Sequence, residues 1–200
     1  MDALLVVDFQ NDFCPGGALP VAEGNLIAGP INELLDSFDL VVATRDWHPI
    51  DHGSFVDVEV DPAVWEGTDP PSIWPVHCVQ GTPGAELYPG LDREKLDFVL
   101  DKGMDRWTQG YSAFHRSGLA ELLHEHRVDR VFVAGLTTEY CVKNTVIDAR
   151  RLGLDVVVVE DAIRPVEVQP GDAEKAVAEM GAAGASFARS ADVKRARAAA

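Results

Sequence analysis

The sequence is short of cysteine, of basic residues and of long apolar runs. Its three cysteines are widely spaced with no CxxC pair, so we expect reduced thiols, no disulfide framework and a cytoplasmic location. Lys and Arg number 17 against 33 Asp and Glu, a net charge of −16, which argues against nucleic acid or an anionic membrane as a partner. No apolar run approaches the ~20 residues of a membrane span, and no signal peptide is expected because no basic stretch precedes an apolar one.

Several well-known motifs are missing too. There is no GxGxxG, P-loop, GxSxG or HExxH, so dinucleotide binding, phosphoryl transfer and serine hydrolysis lack their usual sequence support. No Lys or Arg lies between Arg45 and Arg93, a stretch that holds nine acidic residues, seven of the twelve prolines and three histidines. Acid and imidazole without a competing cation suit a bound metal ion. A solvated acidic loop is the alternative, although three tryptophans in the stretch argue against disorder.

What remains is an alternation of apolar strands and amphipathic helices. Strands are predicted at 3–7, 40–44, 98–100, 130–134, 156–159 and 185–188, and helices at 25–37, 117–126, 139–152 and 173–180. Strands that are apolar throughout and separated by helices indicate an α/β three-layer sandwich, with a mostly parallel central sheet and helices on both faces. We expect a single domain over residues 1–188, and a frayed C-terminal tail over 189–200.

Polar and reactive residues follow four of the predicted strands. Asp8, Asp46 and Lys102 each lie at a strand end, and the turn 135–141 follows the fourth strand. Ligands of open parallel sheets bind at the carboxyl ends of the strands, so these groups are expected to meet at one edge. Each has an ordinary explanation alone, because an Asp there often caps a helix and a Lys is usually solvated.

Cys141 is the candidate nucleophile. It lies in the first turn of the helix predicted from residue 139, where a helix N-terminus stabilises a thiolate and unpaired N–H groups can hold an oxyanion. A small buried core residue is the commoner fate of a lone cysteine. Asp8 is the candidate base: burial would raise its pKa and Lys102 would oppose that shift, and the sequence does not decide between them.

Asp46 and His48 form a second candidate site. Residues two apart on an extended chain point the same way, so carboxylate and imidazole could bind one ion. They could equally hydrogen-bond only to each other. His77 would have to join them from the loop-rich stretch.

Six segments together resemble one known family. They are VVDFQNDF at 6–13, RDWHP at 45–49, WPVHCVQGT at 74–82, KG at 102–103, YSAF at 111–114 and GLTTEYC at 135–141. In this order they resemble the nicotinamidase/pyrazinamidase family of isochorismatase-like cysteine hydrolases, over nearly the whole chain. The DWH and WPxHC segments separate that family from metal-free relatives such as isochorismatases.

The resemblance implies a role for each matching residue. It implies a catalytic triad of Asp8, Lys102 and Cys141, and an oxyanion hole from the backbone N–H groups of Thr137 and Cys141, with a cis peptide bond before Thr137. The implied metal ligands are Asp46, His48 and His77, with His52 as the nearest match to a further coordination position. The implied substrate-binding residues are Phe13, Trp74 and Tyr111.

The same resemblance implies an activity and its requirements. We expect hydrolysis of nicotinamide, and of pyrazinamide, to the acid and ammonia through a thioester acyl-enzyme. One divalent metal ion is expected, with zinc ahead of iron or manganese, and the chain is expected to form a homo-oligomer. The alternatives are a related hydrolase acting on another small amide or an isochorismate-like ether, and a metal-binding module without catalysis. The chain between Gly103 and Tyr111 is longer than in some members, which could reshape one wall of the pocket.

Overall fold

The central sheet has six parallel strands. The structure is a computed structural model that describes residues 1–199. The strands are β1 (Asp2–Val7), β2 (Val41–Asp46), β3 (Phe98–Lys102), β4 (Arg130–Leu136), β5 (Asp155–Arg164) and β6 (Ser186–Ala188). Their order across the sheet is β3-β2-β1-β4-β5-β6, and every neighbouring pair is parallel. The predicted α/β class and parallel sheet are confirmed.

Five α-helices cover the two faces of this sheet. They are α1 (Ala28–Leu35), α2 (Leu119–Glu125), α3 (Lys143–Arg151), α4 (Asp172–Ala182) and α5 (Ser190–Ala198). Leu4 and Val6 of β1 share a buried cluster with residues of α1 and α5. Ala3, Leu5 and Val7 share the opposite cluster with residues of α2, α3 and α4. Because successive strand residues point to opposite faces, β1 is buried on both sides, which is why its sequence is apolar throughout.

Two of the predicted elements differ from the structure in ways that sequence patterns explain. Strand β5 runs from Asp155 to Arg164 and has ten residues, against 156–159 in the prediction, because the charged residues Glu160 and Asp161 interrupt the apolar pattern on which that prediction rests. The predicted helix 25–37 is a 3-10 turn at Gly24–Ile27 followed by α1. Pro30 falls in the first turn of α1, where no intrahelical partner is lost because the first N–H groups of a helix are unpaired.

The predicted frayed tail is wrong for most of its length. Residues 190–198 form α5, while Ala200 lies outside the described residues. Asp161 accepts hydrogen bonds from the backbone N–H of Ser190 at 2.8 Å and from its hydroxyl at 2.7 Å, and Val193 is buried in the core. Alanine and arginine are strong helix formers, so a segment with few apolar residues still folds once these contacts anchor it.

The stretch between β2 and β3 is loop-rich, as the sequence predicted. Within it the structure has only two short 3-10 turns, at Pro83–Ala85 and Arg93–Lys95. Isolated β-bridges pair His48 with Val79 and Phe55 with Trp74. Trp74 and Phe55 are buried, at 8% and 0% exposure, so the residues at this bridge pack into the protein, whereas residues 56–73 between them are exposed or half-buried.

The three cysteines are buried and unpaired, as predicted. Cys14 and Cys78 belong to the cluster beneath α1, whereas Cys141 belongs to the opposite cluster. No helix within residues 1–199 is long and apolar enough to cross a membrane.

Arg197 should stabilise the fold by anchoring α5. Its guanidinium donates hydrogen bonds to Asp2 and to the carbonyl oxygen of Ser37, and lies 4.1 Å from the ring centroid of Phe38. We expect Arg197→Ala to lower the free energy of unfolding by roughly 1–3 kcal/mol, since it removes hydrogen bonds and a cation–π contact. Urea unfolding measures this change. The control is Arg195→Ala, whose side chain is 79% exposed. Identical midpoints for the two variants would contradict the anchoring role.

Candidate active site

Four strand ends meet at one edge of the sheet. Asp8 directly follows β1, Asp46 and Lys102 are the last residues of β2 and β3, and Leu136 is the last residue of β4. Because all four strands are parallel, their carboxyl ends lie side by side, as the sequence predicted. Gly135 helps to bring β4 against β1, since a Cβ at this position would lie 2.0 Å from the carbonyl oxygen of Val7.

Lys102 is the centre of this group and is fully buried. Its Nζ lies 2.6 Å from Oδ1 of Asp46 and 2.8 Å from Oδ2 of Asp8. It also donates to the carbonyl oxygen of Gly110 at 2.9 Å and lies 3.5 Å from Sγ of Cys141. One ammonium group therefore contacts both carboxylates and the thiol.

Burial and the neighbouring charges together shift the pKa values at this centre. Burial raises the pKa of Asp8 to about 6, with Lys102 opposing the shift and Asp46 adding to it. It also raises the pKa of the Cys141 thiol well above its usual value, against the pull of Lys102. Burial alone would lower the pKa of Lys102, but the charges of Asp46 and Asp8 raise it well above normal. These directions favour a cationic lysine, a protonated thiol and a carboxylate of raised basicity, with burial outweighing the opposing charge of Lys102 at Asp8.

The backbone around Cys141 differs from the predicted helix start. Residues Thr138–Val142 form a π-helical turn that continues into α3, and single π turns are frequent at functional sites. The peptide bond between Leu136 and Thr137 is cis, as the resemblance implied. The carbonyl oxygen of Thr137 accepts hydrogen bonds from the N–H groups of Tyr140 at 3.2 Å and Val142 at 3.1 Å, which holds the turn closed around the thiol.

Asp46, His48 and His77 form a buried group whose donor atoms lie within 4.8 Å of one another. Nδ1 of His48 donates to the carbonyl oxygen of Gly103 at 2.8 Å, and Nδ1 of His77 donates to that of Pro75 at 2.7 Å. Each ring therefore keeps Nε2 as the atom that can bind an ion, a common arrangement around metal-binding histidines. Burial and the neighbouring His48 lower the pKa of His77 to about 4, so its metal-binding neutral form prevails. The donor set fits a divalent metal ion.

His52 lies next to this group but is bonded differently. Its ring centroid is 4.1 Å from that of His48. Its Nδ1 accepts from the backbone N–H of Ser54 at 3.3 Å and lies 2.7 Å from the Ser54 hydroxyl. Nδ1 accepts from this N–H, which in the neutral ring places the hydrogen on Nε2, unlike in His48 and His77. Nε2 is buried and has no hydrogen-bond partner among residues 1–199. The first observation argues against a metal-ligand role for His52 and the second leaves an atom free for it, so that role stays a prediction.

A pocket opens above Cys141 beside the metal-binding group. Its lining includes the three residues predicted to contact substrate together with four others: Phe13, Trp74, Tyr111, Leu19, Thr137, Tyr140 and Val166. The indole Nε1 of Trp74 donates to the Tyr111 hydroxyl at 2.9 Å, and the Trp74 ring packs edge-on against Tyr140 with centroids 4.8 Å apart. Three aromatic rings therefore form one wall, which suits a flat ring as ligand.

Some lining and supporting residues were not predicted. Leu19 and Val166 lie in loops that carry no recognisable motif. Tyr140 directly precedes Cys141, but nothing in the sequence around it indicates a place in the pocket lining. Gln10 lies in the quoted 6–13 segment and is fully buried. The side-chain oxygen of Gln10 accepts a hydrogen bond from the backbone N–H of Asp46 at 2.8 Å, and its Nε2 donates to the carbonyl oxygen of Asp46 at 2.8 Å. That pairing fixes the backbone that carries the Asp46 carboxylate.

Comparison with known proteins agrees with this geometry. The chain is 43% identical to the nicotinamidase of Escherichia coli (strain K12), over 95% of each chain. It superposes on a nicotinamidase/pyrazinamidase of Acinetobacter baumanii with a TM-score of 0.86 and 37% identity, covering 96% of this chain and 97% of the other. It superposes on the pyrazinamidase of Pyrococcus horikoshii in complex with zinc with a TM-score of 0.82 and 40% identity, covering 94% and 98%. The model of the isochorismatase domain matches residues 2–192. The chain therefore belongs to the isochorismatase family.

Proposed function

We propose that this protein is an amidohydrolase that converts nicotinamide and water to nicotinate and ammonia, and that also accepts pyrazinamide. The observation that carries the proposal is the contact of Lys102 with Asp8, Asp46 and Cys141 at the floor of an aromatic pocket. The similarity to proteins named nicotinamidase and pyrazinamidase over nearly the whole chain supports the choice of substrate.

The first half of the reaction forms a thioester. Asp8 takes the proton of the Cys141 thiol as the sulfur bonds to the carboxamide carbon. Oδ2 of Asp8 forms an ion pair with Nζ of Lys102 at 2.8 Å, and as a carboxylate oxygen it keeps a further lone pair that can accept that proton. The backbone N–H groups of Thr137 and Cys141 stabilise the resulting oxyanion. Asp8 then gives the proton to the departing nitrogen, and ammonia leaves.

The second half releases the acid. Asp8 removes a proton from water as the water oxygen attacks the thioester carbon, and the same N–H groups stabilise the second oxyanion. The carbon–sulfur bond breaks, and Asp8 returns the proton to the Cys141 sulfur. Lys102 keeps its charge throughout and stabilises whichever neighbour is anionic at each step.

A metal ion has a defined place beside this chemistry. Asp46, His48 and His77 would hold it. Their acid and imidazole donors suit zinc, iron or manganese, and the zinc complex of the Pyrococcus horikoshii pyrazinamidase supports zinc. When bound, the ion supplies a Lewis acid to which the pyridine nitrogen of the substrate can bind. Phe13 and Trp74 confine the ring between them, so that the amide is presented to the sulfur in a reactive geometry.

Cys141 should be the only cysteine needed for turnover. We expect Cys141→Ala to abolish ammonia release from nicotinamide by metal-replete protein, since Cys141 lines the pocket and its sulfur lies 3.5 Å from Nζ of Lys102. Cys141→Ser should also fail, because an alcohol needs a stronger base than this carboxylate. The matched controls are Cys14→Ala and Cys78→Ala, which should retain most of the activity. Substantial turnover by Cys141→Ala would overturn the nucleophile assignment.

Asp8 and Lys102 should act as one unit. We expect Asp8→Asn and Lys102→Ala each to lower kcat by roughly 10³-fold or more, and the double variant to lose little beyond the worse single variant, because the residues of one catalytic unit are non-additive. Steady-state kinetics with circular dichroism to verify folding makes the measurement. Losses that multiply in the double variant would show that the two residues act separately.

His48 and His77 should contribute more to zinc binding than His52 does. We expect His48→Ala and His77→Ala each to weaken zinc binding by at least about 100-fold, because loss of a residue that only orients a ligand already costs about 10- to 100-fold. His52→Ala should retain zinc, because its Nδ1 is an acceptor. Zinc titration with a competing chelator gives the affinities, and iodoacetamide labelling of Cys141 verifies that the site still folds. Equal zinc loss in His52→Ala would instead establish His52 as a ligand.

A further inference from the structure

Glu139 is a buried carboxylate that the chemistry above does not use. It lies in the π-helical turn two residues before Cys141 and is 5% exposed. It makes no salt bridge with any residue in 1–199. A buried carboxylate without a cation needs hydrogen-bond donors to offset its lost hydration. The donors that Glu139 contacts therefore show which segment it holds in place.

Those partners belong to the loop after β5. Oε2 of Glu139 accepts from the backbone N–H of Val166 at 3.1 Å, and Oε1 accepts from that of Glu167. Glu167 has a left-handed backbone, with φ of +50°, and its own carboxylate accepts from the N–H of Gly171 at 3.1 Å, just before α4. The loop is therefore tied at one end to the nucleophile turn and at the other to the start of a helix.

The side chain of Val166 lines the substrate pocket, in company with Leu19 and Phe13. Its backbone is held by Glu139, which shares a five-residue turn with Cys141. One carboxylate in the turn that carries Cys141 is thus hydrogen-bonded to the backbone that carries this apolar wall.

We propose that Glu139 is a positioning residue that fixes the Val166 wall relative to Cys141 and thereby sets the size of the ring that the pocket accepts. The inference rests on the proposed function for the identity of the substrate, but the geometry of the wall can be tested without turnover. A purely structural Glu139 would alter stability and leave selectivity unchanged.

Kinetic selectivity gives the first test. In metal-replete protein we expect Glu139→Ala to raise KM for nicotinamide by roughly tenfold while kcat changes by less than about threefold, since ground-state and transition-state binding weaken together. The specificity constant for 5-methylnicotinamide relative to nicotinamide should rise by about fivefold or more, because an unheld wall rejects an extra methyl group less well. Glu139→Gln keeps one acceptor oxygen and should lie between wild type and Glu139→Ala. The matched control is Glu174→Ala, an exposed carboxylate on α4.

A double variant shows whether Glu139 acts through Val166. Val166→Ala should shift selectivity in the same direction, and Glu139→Ala/Val166→Ala should add little to the larger single effect, because both changes remove the same wall. Effects that multiply would overturn the proposal, as would a lower kcat with unchanged selectivity. If Glu139→Ala does not fold by circular dichroism, Glu139→Gln and Val166→Ala decide, and unchanged selectivity in both overturns it.

Alkylation of Cys141 separates this proposal from the proposed function. The ratio of labelling rates for N-phenyliodoacetamide and iodoacetamide, followed by mass spectrometry, should rise at least about threefold in Glu139→Ala and stay at the wild-type value in Glu174→Ala. Wild-type protein that releases no ammonia from nicotinamide would refute the proposed function, while the labelling ratio would still report on the wall. An unchanged ratio in Glu139→Ala would overturn the positioning role even in an active enzyme.

Discussion

The site depends on one buried positive charge. An ammonium group with no solvent contact is stable only when anionic or dipolar partners offset its lost hydration. Lys102 has Asp8, Asp46 and the carbonyl oxygen of Gly110 within 2.9 Å. The lysine thereby joins Asp8, which lies beside the Cys141 thiol, to Asp46, one of the three residues that could hold a metal ion.

The parallel sheet brings these charged side chains together with little extra loss of backbone conformational entropy. Asp8, Asp46 and Lys102 occupy equivalent ends of three adjacent strands, so rigid elements place their backbones before any loop is ordered. The remaining groups arrive on less regular structure: His77 on the long excursion, and Cys141 on a π-helical turn. Hydrogen bonds to backbone carbonyl oxygens hold both groups in place. The His77 ring bonds to the carbonyl oxygen of Pro75, and the turn that carries Cys141 is closed by bonds to the carbonyl oxygen of Thr137.

How much could be predicted from the sequence varied with the kind of signal. Asp8, Asp46 and Lys102 were predictable as neighbours because apolar strands that alternate with helices predict a parallel sheet. The carboxyl ends of parallel strands lie at the same edge of the sheet. Val166 was not, because its place in the pocket depends on a hydrogen bond to a residue 27 positions away. That residues 190–198 form a helix is not predictable for a similar reason, since Asp161 and Asp2, which anchor α5, are remote from it in sequence. The basicity of Asp8 needed burial and distances that no pattern supplies.

The absence of basic residues between Arg45 and Arg93 has a consequence for what leaves the pocket. This stretch supplies Trp74 and His77 to the pocket lining and carries nine acidic residues with no Lys or Arg. The amide is neutral and the acid formed from it is an anion, so the excess of acidic residues in this stretch acts on the product and not on the substrate. That excess disfavours binding of the acid relative to the amide.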